Sequence, residues 1–194
     1  MKDLALQWPI TEDWLPYHAL LEARELSAID LVVIHCTELP DMAMAREYGE
    51  RVLHATGTGN SGHYYIDRDG SIHEYVPLER TANHTRGFNP RSVGIEIVNT
   101  GRYPNWYDSR FQSMQEPYTE EQIRALIDLL RALQTVLPEL RFIAGHEQLD
   151  TGCIPATDDP AISLRRKCDP GPLFPWASVL TQIQLTPLPL DSHA

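Results

Sequence analysis

Short apolar runs alternate with longer polar stretches along the chain of 194 residues. The runs from Leu31 to Cys36 and from Ser92 to Val98 are almost continuously apolar and rich in β-branched residues, which is typical of strands buried on both faces of a sheet. Phe142 to Ala144 predicts a third, shorter strand. Residues 63–67 and 71–76 predict two more, and the Asp-Gly pair between them predicts a hairpin.

Helical spacing of apolar residues appears in three places. The clearest is 120–136, where Thr119 and Gln122 form a capping-box pattern and one apolar stripe follows. A second helix is predicted within 41–55, and a short last helix near 175–184. Together these elements predict a single α/β domain with a central mixed β-sheet flanked by helices.

The same pattern divides the chain into segments. Residues 1–28 are expected to form an N-terminal arm packed on the domain, 29–185 the domain itself, and 186–194 a Pro-rich tail. Segments 100–118 and 147–172 are predicted to be loops. Because a structureless stretch as long as the second is usually functional in a compact domain, we expect part of the site there.

Charge and composition limit the classes of partner and the location that we expect for the protein. The net charge of −11 argues against nucleic acids and anionic membranes. No apolar run approaches the roughly 20 residues of a membrane span, and no secretory signal follows Met1. We therefore expect a cytoplasmic monomer, with signal-independent export or a removed leader as alternatives.

The odd number of cysteines favours free thiols, although Cys153 and Cys168 could pair.

Two histidines lie at the ends of predicted strands. His35 ends a buried strand, and His146 follows a short strand through Gly145. Strand ends at one edge of a sheet bring together groups that are distant in the chain. A catalytic zinc site needs about three protein ligands and a water. Spacing does not choose the third ligand, for which segment 147–172 offers Asp150, Cys153, Asp158, Asp159, Cys168 and Asp169.

Five pieces of sequence resemble a known family. They are Val32-Val33-Ile34-His35-Cys36-Thr37, Ser61-Gly62-His63-Tyr64-Tyr65-Ile66 with Asp69-Gly70, Ser92-Val93-Gly94-Ile95-Glu96-Ile97, Gly145-His146-Glu147 and Arg166-Lys167-Cys168-Asp169-Pro170-Gly171-Pro172. In this order they are similar to the type 2 N-acetylmuramoyl-L-alanine amidases. That family includes the AmpD-type bacterial amidases, the phage amidase lysozymes and the animal peptidoglycan recognition proteins.

The resemblance implies a Zn²⁺ site at one edge of the sheet. His35 and His146 match the first two ligands of the family. Asp169 matches the third, in the form typical of the AmpD branch. The phage and animal branches have a cysteine there, and Cys168 lies one residue earlier, so it is the rival ligand. The Pro-Gly-Pro register that follows favours Asp169.

The resemblance also implies catalytic roles. Glu96 matches the acidic residue beside the metal-bound water, and Lys167 matches a lysine that stabilises the oxyanion. His63 and His84 match positions that border the pocket, and we take them as candidate substrate-binding residues. This chain departs from the AmpD branch around His84, where it reads Asn-His-Thr-Arg instead of aromatic-His-Ala-Gly, which leaves substrate contacts there open.

The implied activity is zinc-dependent hydrolysis of the amide between N-acetylmuramic (or anhydro-muramic) acid and L-alanine in peptidoglycan or its fragments. One alternative is a non-catalytic peptidoglycan-binding module of the same fold. Another is a thiol hydrolase built on Cys36 or Cys168. The intact set of three ligand positions favours the enzyme. A recycling enzyme, a phage-type lysin and a delivered toxin are all consistent with the sequence.

Overall fold

The structure, a computed structural model, describes residues 9–190. Its strands are β1 (Ile10–Glu12), β2 (Leu31–Cys36), β3 (Tyr64–Ile66), β4 (Ile72–Glu74), β5 (Ser92–Ile97), β6 (Phe142–Gly145), β7 (Cys153–Pro155), β8 (Ser163–Arg165) and β9 (Thr186–Pro187). Its helices are α1 (Met42–Glu50), α2 (Glu120–Val136), α3 (His146–Leu149) and α4 (Trp176–Leu180). No helix among these residues is long and apolar enough to cross a membrane.

Seven of the strands form one sheet in the order β1-β4-β3-β5-β2-β6-β9. Strands β3, β5, β2, β6 and β9 run parallel to one another, whereas β4 is antiparallel to β3 and β1 is parallel to β4. The predicted central mixed sheet is therefore confirmed, as is the hairpin between β3 and β4. The two most apolar strands, β2 and β5, lie next to each other inside the sheet.

Both edges of the sheet lie in segments for which an arm and a tail were expected. Strand β1 pairs with β4 at one edge, and β9 pairs with β6 at the other. Pro187 is tolerated in β9 because an edge strand does not need its missing N–H. Residues 1–8 and 191–194 lie outside the described residues, and the domain boundaries stay a prediction.

Helix α2 covers one face of the sheet. It begins at the predicted capping box, in which Thr119 Oγ1 accepts a hydrogen bond from the Gln122 N–H (3.1 Å) and Gln122 Oε1 accepts one from the Thr119 N–H (3.0 Å). Its apolar stripe packs on alternate residues of β2 and β5, in a core that includes Ile34, Ile95 and Leu130. The core on this side therefore fixes the orientation of both central strands.

The opposite face carries the polar chemistry. Because side chains alternate along a strand, the neighbours of the core residues in β2 and β5 face away from α2, and these include His35 and Glu96. The two residues are paired in register. Helix α1 packs on this face over Tyr65 and Tyr75, whose rings stack at 4.1 Å. The C-terminal ends of β2 and β5 are thus open between α1 and the segment after β6.

The prediction that 147–172 is structureless is wrong. Helix α3 continues from β6 into this segment, and β7 and β8 pair within it as an antiparallel hairpin. Segment 100–118 is a loop, as expected, apart from one helical turn at Ser109–Phe111. Ser109 donates hydrogen bonds from its N–H and its hydroxyl to Asp158, both at 2.7 Å. The two segments therefore support each other on one side of the site.

Candidate metal centre and active site

Three buried side chains converge where β2 and β6 end. His35 is the last residue but one of β2, His146 begins α3, and Asp169 precedes a cis peptide bond to Pro170. Asp169 Oδ2 lies 2.9 Å from His35 Nδ1 and 3.0 Å from His146 Nδ1. Each of the three residues is 2% exposed, and their donor atoms all lie within 4.8 Å of one another. The cluster could hold a metal ion.

The protonation states of the cluster fit a cation. Burial raises the pKa of Asp169, but the charge of His146 and the hydrogen bonds from His146 and His35 outweigh burial and hold that pKa well below its usual range. Burial, followed by the charge of His146, lowers the pKa of His35 to about 4. At neutral pH the carboxylate is therefore ionised and His35 is neutral, as metal ligands must be. Asp169 Oδ1 is buried without a hydrogen-bond partner among residues 9–190.

Backbone contacts determine which of two adjacent side chains faces the histidines. The Glu147 N–H donates to the Asp169 carbonyl (2.9 Å), and the Tyr118 hydroxyl donates to the Pro170 carbonyl (2.7 Å). The Cys168 thiol points elsewhere and lies 3.9 Å from the Arg165 carbonyl oxygen. Asp169 therefore joins the cluster and Cys168 does not. Cys168 and Cys153 are both free, so they do not pair.

The far side of the His35 ring is held by polar groups. His35 Nε2 lies 3.0 Å from His84 Nδ1 and 3.3 Å from Thr85 Oγ1. His84 Nε2 in turn lies 3.2 Å from Ser92 Oγ. Metal-binding histidines usually engage their second nitrogen in this way, which fixes the ring orientation. His84 lines the cavity and also orients His35, and its role as a substrate contact stays a prediction.

Glu96 lies beside the cluster at the end of β5. Its Oε1 is 3.8 Å from His35 Nδ1, and its side chain is 15% exposed. Burial, followed by the negative charge of Asp169, raises the pKa of Glu96 well above its usual range. The side chain fits because position 62 is a glycine: a Cβ on Gly62 would lie 2.8 Å from Glu96 Cγ. A carboxylate is thus held next to the position that a metal ion would take.

Lys167 completes the polar lining. It faces the same cavity of about 630 Å³ as the three clustered residues and Glu96. Its positive charge lowers the pKa of Glu96 and of Asp169, so it acts electrostatically on both carboxyl groups. Within residues 9–190 the ammonium group has no hydrogen-bond or ion-pair partner. An unpaired cation beside an enclosed carboxylate is suited to binding negative charge that develops on a substrate.

His63 lies behind the site, which corrects the expectation that it contacts substrate. The ring is fully buried. Its Nδ1 accepts a hydrogen bond from the Gly94 N–H (3.0 Å), and its Nε2 lies 2.6 Å from Arg24 Nη2 and 3.1 Å from the Arg80 carbonyl oxygen. Burial, followed by the charge of Arg24, lowers its pKa well below the usual range. His63 is therefore a neutral residue that braces β5.

Sequence comparison gives the family. The model of the family described as N-acetylmuramoyl-L-alanine amidase matches residues 25–172, most of the chain. The chain belongs to this amidase family. The relatives include the 1,6-anhydro-N-acetylmuramyl-L-alanine amidase AmpD of Escherichia coli K12, which is 32% identical over 126 residues that cover 60% of this chain and 55% of the relative. The amidase AmiD of the same organism is 28% identical over 169 residues, or 79% and 53% of the two chains. The chain therefore spans about half the length of these curated relatives.

Solved structures of the amidase family share the fold. A crystal structure of AmpD matches with a TM-score of 0.64 at 23% identity, over 93% of this chain and 96% of that chain. AmpDh3 from Pseudomonas aeruginosa, in complex with an anhydromuramic pentapeptide, matches with a TM-score of 0.60 at 25% identity, over 80% and 60% of the two chains. The resemblance that the sequence motifs indicated is confirmed.

Sequence reasoning missed two residues that build this amidase-family site. Thr85 and Gly62 shape it through contacts with His35 and Glu96. The sequence did indicate that Gly62 is important, because the residue lies inside one of the five family motifs. Thr85 carried no signal, since it lies where the chain departs from the AmpD-branch pattern.

Proposed function

We propose that the protein is a zinc-dependent N-acetylmuramoyl-L-alanine amidase. Its substrate would contain N-acetylmuramic or anhydro-muramic acid joined to L-alanine, and water would cleave that amide. The observation that carries the proposal is the convergence of His35, His146 and Asp169 on one point, with Glu96 and Lys167 lining the same cavity. AmiD, a structural relative, was solved with the substrate anhydro-N-acetylmuramic acid-L-Ala-D-γ-Glu-L-Lys, which supports this substrate class.

The donor set supports zinc in particular. Two imidazole nitrogens and one carboxylate oxygen are ligands that catalytic zinc takes, with a water in the fourth position. Held by His35, His146 and Asp169, zinc would supply a polarised carbonyl and a bound water of lowered pKa. The contacts of His84 and Thr85 with the far nitrogen of His35 keep its ring aimed at Asp169.

Glu96 is placed to move the proton. Its carboxylate would accept a proton from the attacking water and then deliver it to the nitrogen of the departing L-alanine. Burial and Asp169 raise its pKa, whereas a cation held by the cluster opposes both effects. A raised pKa makes the carboxylate a better proton acceptor, and a bound cation favours release of that proton to the leaving group.

Lys167 would stabilise the intermediate. The tetrahedral carbon formed by water attack carries an oxyanion, and the Lys167 ammonium is a cation that lines the same cavity. Removing a single oxyanion donor of this type typically lowers kcat by about 10²–10³.

The thiol-hydrolase alternative finds no support at Cys36. This cysteine lines the cavity, but it is buried, and burial followed by the charges of Asp169 and Glu38 raises its pKa well above the usual range. The group is therefore a thiol at neutral pH, whereas a nucleophile must be a thiolate.

A cytoplasmic role in the recycling of soluble muropeptides remains part of the proposal.

The test measures release of the stem peptide. Chelator-treated protein is reloaded with Zn²⁺ and incubated with an anhydromuropeptide, and free peptide is quantified by mass spectrometry. We expect Glu96→Gln to lower kcat by about 10²–10⁴, because it removes the proton carrier. Glu120→Gln, at an exposed carboxylate of α2, is the matched control and should leave kcat unchanged.

Two outcomes would overturn the proposal. Binding of the muropeptide without release of peptide by the zinc-loaded protein would indicate a binding module. Release that resists the chelator but is blocked by thiol alkylation would indicate a cysteine hydrolase.

A further inference from the structure

A buried ion pair lies beside the metal cluster. The Arg102 side chain is 1% exposed, and that of Glu38 is 10% exposed. Arg102 Nε donates to Glu38 Oε1 at 2.6 Å, and Nη2 donates to Oε2 at 2.8 Å, so the pairing is bidentate. Glu38 follows β2 closely, a few residues after His35. The pair therefore anchors the strand end that carries a candidate metal ligand.

The remaining donors of Arg102 reach the backbone that precedes Asp169. Nη1 donates to the Arg165 carbonyl (3.2 Å) and to Gln112 Oε1 (3.2 Å), and Nη2 donates to the Arg166 carbonyl (3.3 Å). A guanidinium has five N–H groups, and here each has an acceptor. Arg102 thus joins the end of β2, segment 100–118 and the residues directly before Lys167.

The backbone is bent to make this junction. Glu38 has a φ of 48°, and among residues 9–190 it is the only residue other than glycine with a positive φ. Gly101, with a φ of 51°, lies against the Glu38 side chain, and a Cβ there would be 2.7 Å from Glu38 Cγ. Unfavourable backbone conformations persist where the surrounding structure requires them, often at functional sites.

We infer that Arg102 is a positioning residue for the reaction. Through the Arg165 and Arg166 carbonyls it fixes the backbone that aims Lys167 into the cavity and holds Asp169 against the two histidines. Through Glu38 it fixes that backbone relative to β2. A lysine at position 102 cannot do this, because its donors diverge from a single nitrogen and do not form a planar fork. The kinetic part of this inference rests on the proposed amidase function.

Two variants test the inference in the full chain. Arg102→Lys keeps the charge opposite Glu38 but loses the carbonyl contacts. The double variant Glu38→Met with Arg102→Met removes both charges together, so no buried charge is left unpaired. For both we expect kcat to fall by about 10–100-fold, the usual effect of removing a partner that orients metal-site residues. In Arg102→Lys, KM should change little, since Glu38 and the other residues that line the cavity are kept.

A second readout does not depend on turnover. Protein loaded with Co²⁺ reports the geometry of its ligands through visible absorption, and both variants should show an altered spectrum and weaker Co²⁺ binding. The matched control replaces the exposed pair Arg124 and Glu120 by methionine, which should change neither kcat nor the spectrum.

The outcomes separate this inference from the proposed function. Wild-type kcat and a wild-type Co²⁺ spectrum in the double variant would overturn it, because the pair would then serve stability alone. If the unmutated protein shows no amidase activity, the proposed function fails, but the Co²⁺ spectra and affinities of the variants still decide whether Arg102 positions the cluster.

Discussion

Replacing Asp169 by asparagine tests which side chain completes the metal cluster. Asparagine keeps the shape of the side chain but removes the negative charge that faces His35 at 2.9 Å and His146 at 3.0 Å. We expect the metal to stabilise the unmutated protein strongly and the variant hardly at all. The adjacent Cys168 provides the control, because its thiol points away from the two imidazoles.

The expected change in Tm follows from the thermodynamic linkage between metal binding and folding. His35 and Asp169 are separated by 134 residues in the chain, and His146 and Asp169 by 23, so only the folded state offers the complete site. At a free metal concentration of 100 times Kd, binding stabilises the folded state by about 2.7 kcal/mol. For a domain of this size, 1 kcal/mol shifts Tm by about 2–4 °C, so Tm should rise by about 5–11 °C. If Asp169→Asn weakens binding a hundredfold, about 0.4 kcal/mol remains, or about 1–2 °C.

The assay is thermal unfolding followed by circular dichroism at pH 7. Each chelator-treated protein is measured with and without Zn²⁺ buffered at 100 times the wild-type Kd, so each variant is its own reference. Cys168→Ser should show the full wild-type shift. An undiminished shift in Asp169→Asn, or loss of the shift in Cys168→Ser, would refute the assignment of Asp169 as the third ligand.

Two further predictions concern the stability of the fold. Thr119→Ala removes the cap of α2 and should lower the free energy of unfolding in urea by about 1 kcal/mol without affecting activity; an unchanged unfolding midpoint would contradict this. In the metal-free protein, burial lowers the pKa of His35 from 6.5 to about 4, so below pH 6.5 the unfolded chain binds a proton that the folded state excludes. As pH falls from 6.5 to 4, His35 should therefore cost about 3 kcal/mol of stability that His35→Gln does not lose. Equal pH dependence of the unfolding free energy in the two proteins would show that His35 titrates normally.

Elements with a local signal were predicted well from the sequence. Helix α2 has an apolar stripe and a capping box within one continuous segment, and both appear in the structure. Strand β2 is apolar apart from His35, and the hairpin of β3 and β4 contains an Asp-Gly turn. In each case the determining interactions lie within a few residues of one another, so the pattern alone reports them.

Elements that depend on distant partners were not predicted. Strands β7, β8 and β9 have two or three residues each, too few to show a period of two, and they form because a partner is presented to them. The ion pair of Glu38 and Arg102 joins positions 64 residues apart in loops without periodicity. His63 shares a motif with pocket residues, but only the packing of Arg24 and β5 shows that its ring faces inward.

The position of β2 in the sheet has a consequence for how the protein matures. Its neighbours β5 and β6 are distant in the chain, so each pairing closes a long loop before any stabilising contact is gained. The two imidazoles and the carboxylate meet only after these pairings exist. The proposed metal ion would therefore be captured by a chain that is already folded, and ion supply rather than chain collapse would set the moment at which activity begins.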